Sequence, residues 1–300
     1  MLLSLSPNIE NLSAKNKKII DLVRGIKLEK LEEEPSIGPI ESLGRFSFWF
    51  ARETVAMLSF VGEFMANLVG TFFMPLKFRL TSCFNHIVKT GINAVPIIFL
   101  IAFLIAVVLT YQGSIQLKKF GADIYTVDLV VISVLREMSA LLVAIMVAGR
   151  SGSAFAAEIG VMKVNEEVDA MRTIGLNPFE VIVLPRAIAL ILVLPLLTFI
   201  ADIAGILGGA VAVKGLLGIS YDQYFARVES FVSIKHFWVG IIKAPFFGAI
   251  IAIIGCLRGL QVSGSSESVG KLTTQAVVES IFLVIVADAI FSILFVKIGI

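Results

Sequence analysis

The chain has 300 residues, 57% of them apolar and only 16% charged, with a mean hydropathy of +0.94. Soluble domains average about 45–50% apolar and about 25% charged residues, so this composition excludes an ordinary soluble domain and points to an integral membrane protein. Twenty-five basic against twenty-three acidic residues give a net charge of +2 and no field for nucleic acid. Cys83 and Cys256 stand far apart in apolar surroundings, as do His86 and His236. Neither a disulfide framework nor a metal site is expected.

Sixteen of the forty-eight charged residues fall within residues 1–53. Met1 to Ser13 has no basic region followed by an apolar run, so no cleavable signal peptide is expected. Residues 1–41 read as a soluble segment: Ile19, Val23, Ile26 and Leu31 recur at helical spacing among lysines and glutamates until Pro35, Gly38 and Pro39 break the run. Residues 48–69 place Arg52, Ser59, Glu63 and Asn67 on one helical face against a broad apolar remainder. That pattern predicts a helix lying in the membrane interface rather than crossing it. Pro75, Lys77 and Arg79 end it.

Five membrane spans follow, placed at residues 92–113, 127–149, within 183–213 (interrupted by Pro195), 235–260 and 275–297. Five crossings put the termini on opposite sides. Nine basic residues flank one side and six the other, which favours a cytoplasmic N-terminus.

The loop at residues 148–186 (AGRSGSAFAAEIGVMKVNEEVDAMRTIGLNPFEVIVLPR) is long for a connector. Phe155, Ile159, Met162, Val168, Met171 and Ile174 recur near helical spacing beside Glu158, Lys163, Glu166, Glu167, Asp169 and Arg172. One or two short helices are expected, apolar on one side and charged on the other. Such a helix either receives a push from a soluble partner or merely packs beneath the bundle, and these residues fit both.

Ionisable groups within the spans are costly and mark function or structural pairing. Arg136 and Glu137, as neighbours about 100° apart on an α-helix, are expected not to pair with each other, and Asp202 and Lys243 have the signs and depth to serve as partners. Asp288 lies near the middle of the fifth span, and Glu279, nine residues away, is half a turn out of phase with it. A mixed-sign cluster of this kind suits a zwitterionic or anionic head group in a cavity, or ion pairs that pin the bundle. Small residues repeat every fourth position at Gly240, Ala244, Gly248, Ala252 and Cys256, and at Ala201, Gly205 and Gly209, a pattern that favours tight helix packing within the chain. Gly264 to Lys271 (GSSESVGK) fails as a phosphate loop, because five residues separate its glycines and Leu272 follows the lysine. GRSGS at 149–153 lacks the last glycine of a GxSxG elbow.

The blocks VLREMSALLVAIMVAGRSGSAFAAEIGVMKVNEEVDAMRTIGLNPFEVIVLPR (134–186), LPLLTFIADIAGILGG (194–209) and TTQAVVESIFLVIVADAIF (273–291) resemble the MlaE/YrbE permease subunits of phospholipid ABC transporters. The resemblance covers about residues 42–297, leaving 1–41 as a possible remnant of the STAS-like domain that some members carry. It implies an all-α integral membrane fold, with an interfacial helix, five transmembrane helices and a cytoplasmic coupling-helix loop in a multi-pass protein of the cell inner membrane. It also implies a homodimer, a separate ATP-binding subunit on the cytoplasmic side, an MCE-domain protein on the outer side, phospholipid as cargo, and no covalent chemistry or cofactor in this chain. On that basis Arg136 and Glu137 line the lipid cavity, and Asp202, Lys243 and Asp288, by their charge and depth, are further candidates for it. Arg150, Glu158, Lys163, Glu166, Glu167, Asp169 and Arg172 are candidates for coupling to the ATPase. An ion-coupled secondary transporter using Arg136, Glu137 and Asp202 as a relay, and a non-transporting scaffold, are the alternatives.

Overall fold

The computed structural model describes residues 39–73 and 80–299, and every regular element among them is helical. The helix expected over 15–34 and the break at Pro75, Lys77 and Arg79 lie outside the described residues. The chain divides into two units, 1–54 and 55–300. Helix α1, Pro39–Phe73, is longer than the 48–69 predicted and is not among the helices apolar enough to cross a membrane. In the first unit it carries an exposed Arg45–Glu41 pair at 2.8 Å, one helical turn apart. In the second, Phe60 and Phe64 are buried and Met57, Val61 and Leu68 pack on the same core, with the Phe60 ring 4.7 Å from that of Phe179.

Among the described residues five helical runs are long and apolar enough to cross, as predicted: Leu80–Lys118, Asp123–Val164, Phe179–Leu217, Ile234–Leu260 and Ser266–Ile298, here called spans 1 to 5. Span 1 comprises α2, Leu80–Thr90, and α3, Val95–Lys118, the latter opening on Pro96. The buried residues of α3 fall every fourth position, at Ile98, Ala102, Ala106, Thr110 and Ser114. Thr110 donates back to the Ala106 carbonyl at 2.7 Å and so stays satisfied on that buried face.

Span 2 differs most from expectation. It contains α4, Thr126–Ser133, a π-helical turn at Val134–Met138, α5, Ser139–Val147, a second π turn at Ala148–Gly152, and α6, Ser153–Val164. The first part of the supposed loop is therefore a direct continuation of the membrane helix. No proline stands between Pro96 and Pro178 to stop it, and Gly149 and Gly152 are absorbed in the wider turn. Forty-two residues at about 1.5 Å each greatly exceed a hydrocarbon core of about 30 Å, so this run is longer than one crossing needs. The short helix α7, Glu167–Thr173, folds back beside it, its Val168 fully buried.

Span 3 starts with a third π turn, Phe179–Val183, whose first N–H donates to the Asn177 side chain at 3.0 Å. It continues as α8, Leu184–Leu217, through Pro195. At the far end α9, Tyr221–Phe231, opens with a Ser220–Gln223 capping box. Its buried Tyr224 donates to the Ile206 carbonyl at 3.1 Å. Arg227 of α9 grips Asp128 of span 2 through two hydrogen bonds, 2.9 and 2.6 Å long, between the rings of Tyr125 and Phe231. Span 4 is α10, Ile234–Leu260, and span 5 is α11, Ser266–Ile298, capped by Ser265.

The small-residue ridges pack inside the chain, as the spacing predicts: Gly240, Ala244, Gly248, Ala252 and Cys256 are all buried. A Cβ on Gly240 would lie 2.2 Å from the Leu135 carbonyl oxygen, and one on Gly208 would lie 2.4 Å from that of Phe103. Both are backbone contacts with no flexible side chain to give way. Gly240→Ala is therefore expected to destabilise the protein by about 2–3 kcal/mol, read as a fall in thermal unfolding temperature in detergent. Gly215→Ala, where nothing lies within 4 Å of the new atom, should leave it unchanged or slightly raised.

Candidate functional site

The π turn at Val134–Met138 places the first candidates. Its i→i+5 hydrogen bonding widens the helix and reduces the angle between successive side chains. As a result Arg136 Nε comes within 3.5 Å of Glu137 Oε1, correcting the expectation, drawn from ordinary α-helical geometry, that the two do not pair. Both side chains are largely shielded from solvent.

Lys243 of span 4 is fully buried and is the hub of the group. Its ammonium donates to Glu137 of span 2, to Asp288 Oδ1 of span 5 at 3.0 Å, to Ser292 Oγ at 3.0 Å and to the Arg136 carbonyl at 3.4 Å. The Ser292 hydroxyl donates in turn to Glu137 at 2.9 Å. Two cations and two carboxylates thus form a formally neutral network joining spans 2, 4 and 5. Four of the five residues proposed for the cavity meet here. Ser292 was not singled out from the sequence, although its position one turn beyond Asp288 puts both on one face.

Asp202, the fifth, is not part of this group. It is 2% exposed, and neither carboxylate oxygen has a hydrogen-bond partner among the described residues; Ser139 lies beside it, outside hydrogen-bond geometry. It forms no ion pair with Arg136 or Lys243, because span 3 turns it toward the start of α5. Glu279, as its phase predicts, serves a separate site: it takes two 2.7 Å hydrogen bonds from Arg258.

The coupling candidates separate into two sets. Arg150 and Glu158 face the spans: Arg150 donates to the Asn93 carbonyl at 2.6 Å, and Glu158 accepts from Lys89 and, at 3.3 Å, from Arg186. The others stay within the α6–α7 hairpin. Lys163 donates to both oxygens of Asp169 at 3.0 and 2.8 Å, and Arg172 lies 3.5 Å from Asp169. Glu167 accepts from Asn165 at 3.3 Å, and Glu166 has a φ of 59°, the only positive value at a non-glycine residue among those described. Phe155, Ile159 and Val168 are buried as the periodicity predicts, but Ile174 is 72% exposed. It lies beyond the end of α7, beside Gly175 at φ 77°, at a bare tip that includes Leu176.

Replacing Lys243 by Met would leave the carboxylates of Glu137 and Asp288 without their ammonium. Lys243→Met should lower the free energy of unfolding by about 3–5 kcal/mol, and adding Asp288→Asn, which leaves Glu137 balanced by Arg136, should recover most of it; denaturant titration in detergent reads both. The hydrogen bond from Lys163 holds the Asp169 carboxyl below its ordinary range. A carboxyl lowered on folding adds stability above its unfolded value, and that stability is lost as pH falls through the folded one. Docking of α7 should therefore loosen in acid below about pH 4. Amide exchange over Glu167–Thr173, normalised to the intrinsic rate, should rise there in the parent and be high at every pH in Asp169→Asn.

The family described as "Permease MlaE" matches residues 83–294, a range that holds the whole charged network and the hairpin. A "Probable ABC transporter permease protein" of Rickettsia bellii is 31% identical over 251 residues, covering 82% of this chain and 96% of its own length. A "Probable ABC transporter permease protein" of Synechocystis sp. is 32% identical over 242 residues, covering 81% and 90%. "Protein TRIGALACTOSYLDIACYLGLYCEROL 1, chloroplastic" of Arabidopsis thaliana is 31% identical over 216 residues, covering 72% of this chain and 62% of its own. The polytopic helical fold and the extent of these matches agree: this chain belongs to the MlaE permease family.

Proposed function

We propose that this chain is the membrane-spanning permease subunit of an ABC transporter that moves phospholipid between membranes, powered by ATP hydrolysed on a separate subunit. The observation that carries the reading is the continuity of span 2. One helical run holds Arg136 and Glu137 within the bundle and, beyond the membrane, becomes the α6–α7 hairpin with its exposed charged and apolar tip. A soluble subunit pressing on the hairpin would act on the same element that presents the charged network. The names of the bacterial relatives supply the transporter class, and that of the plant relative contains a diacylglycerol lipid.

In this reading the hairpin lies on the cytoplasmic side of the inner membrane, as does the N-terminus, and an MCE-domain protein meets the opposite face. Two copies of the chain form the permease. Residues 1–41 form a soluble segment preceding the permease domain. Arg136, Glu137, Lys243 and Asp288, which satisfy one another in this conformation, exchange those partners for a zwitterionic or anionic head group when the spans part. Glu166, Glu167, Arg172, Ile174 and Leu176 meet the ATPase subunit. The chain itself makes and breaks no covalent bond.

The test is transfer of fluorescent phospholipid between vesicles by the reconstituted complex. Transfer should require both ATP and the ATPase subunit, and Glu137→Gln should slow it. Full-rate transfer by this chain alone without nucleotide would overturn the proposal, and proton-driven uptake by the chain alone would favour an ion-coupled transporter.

A further inference from the structure

We infer that Glu158 is a positioning residue that ties the α6–α7 hairpin to spans 1 and 3, rather than a contact for the ATPase; the inference rests on the transporter reading above. Each oxygen of its carboxylate is engaged inside the chain, Oε1 by Lys89 on α2 and Oε2 by Arg186 on α8. Arg186 is itself nine-tenths buried. It donates to the Ile182 carbonyl at 3.0 Å and lies 5.6 Å from the centre of the Phe155 ring. Phe155, one turn before Glu158 on α6, is also buried and meets the edge of His86 on α2 at 5.6 Å. Two successive turns of α6 therefore hold the same two spans, one through an aromatic ring and one through a carboxylate.

Among the described residues, helix α7 has no comparable link. Its Asp169 pairs within the hairpin, with Lys163 and Arg172, and its hold on the core is the apolar side chain of Val168, with Met171 beside it. Apolar contacts are non-directional and let neighbours slide, whereas a carboxylate held at both oxygens fixes register. A displacement of α7 passes to α6 through Lys163 and Asp169, and from α6 to spans 1 and 3 together through Glu158. Arg150 adds a single hydrogen bond to the Asn93 carbonyl of span 1, so Glu158 is the residue that joins both.

The experiment uses the reconstituted complex carrying Glu158→Gln, which keeps the size and an acceptor while removing the charge. Binding of the ATPase subunit and ATP turnover should stay within about twofold of the parent, while ATP-driven phospholipid transfer falls about tenfold or more, on the scale of ordinary coupling between sites. Spin labels at the exposed positions Val161 and Phe84 read the link without reference to cargo. Their separation should be unchanged by nucleotide in the parent and should shift with nucleotide in E158Q. Loss of ATPase-subunit binding by E158Q would make Glu158 a docking residue and overturn the inference, as would unchanged transfer with an unchanged distance. A parent complex that hydrolyses ATP but moves no phospholipid would count against the transporter reading alone, since the label distance still tests the link. Lys89→Gln, which removes an exposed partner and leaves Glu158 paired with Arg186, covers the case in which E158Q fails to fold. It should keep ATP turnover and lose transfer several-fold, and unchanged transfer with an unchanged distance would again overturn the inference.

Discussion

A fully buried ammonium in an apolar bundle is the constraint around which the rest is arranged. Removing a lysine from water costs several kcal/mol unless its charge and its donors are met. Lys243 meets them with carboxylates from two other spans, a serine hydroxyl and a backbone carbonyl. Because those partners come from spans 2 and 5, the three helices cannot shift independently without leaving charge unpaired. Apolar packing alone would not impose that condition, since lipid tails are as apolar as the side chains they would replace.

The network depends on how closely the helices approach. Gly240 lies against the Leu135 carbonyl, where no side chain would fit, and Lys243 is three residues later on the same face. The contact at Gly240 thus brings the lysine within reach of the next carbonyl, that of Arg136. The π turn contributes from the other side by directing Arg136 and Glu137 where an uninterrupted α-helix would not. A small residue on one helix and an extra residue in the turn of the other together place the charges.

Much of this was legible in the sequence because membrane spans announce themselves by missing charge. The five crossings, the inward small-residue ridges and the separate roles of Glu279 and Asp288 follow from spacing alone. The π turns did not, because nothing in VLREM or AGRSG distinguishes a wide turn from an ordinary one, and tertiary contacts decide between them. The Arg136–Glu137 pairing is hidden in the sequence for that reason. The continuation of span 2 into α6 looks like a loop in the sequence because its charged residues begin at Arg150, although no residue there stops a helix. Asp202 has the sign and depth of a network member, but only the packing of span 3 reveals that it faces Ser139 instead. Ile174 fits the apolar periodicity, yet α7 ends at Thr173 and leaves it bare.

The clasp between Arg227 and Asp128 has a consequence for the opposite end of the bundle. Both side chains are less than one-fifth exposed, and aromatic rings flank the guanidinium on Tyr125 and Phe231. Mobile ions weaken charge pairs that they can surround, and shielded pairs much less. The rim where α9 meets span 2 is therefore held by an attraction that dilute and concentrated salt leave nearly alike, so a change in the surrounding medium's ionic strength does not by itself loosen that edge.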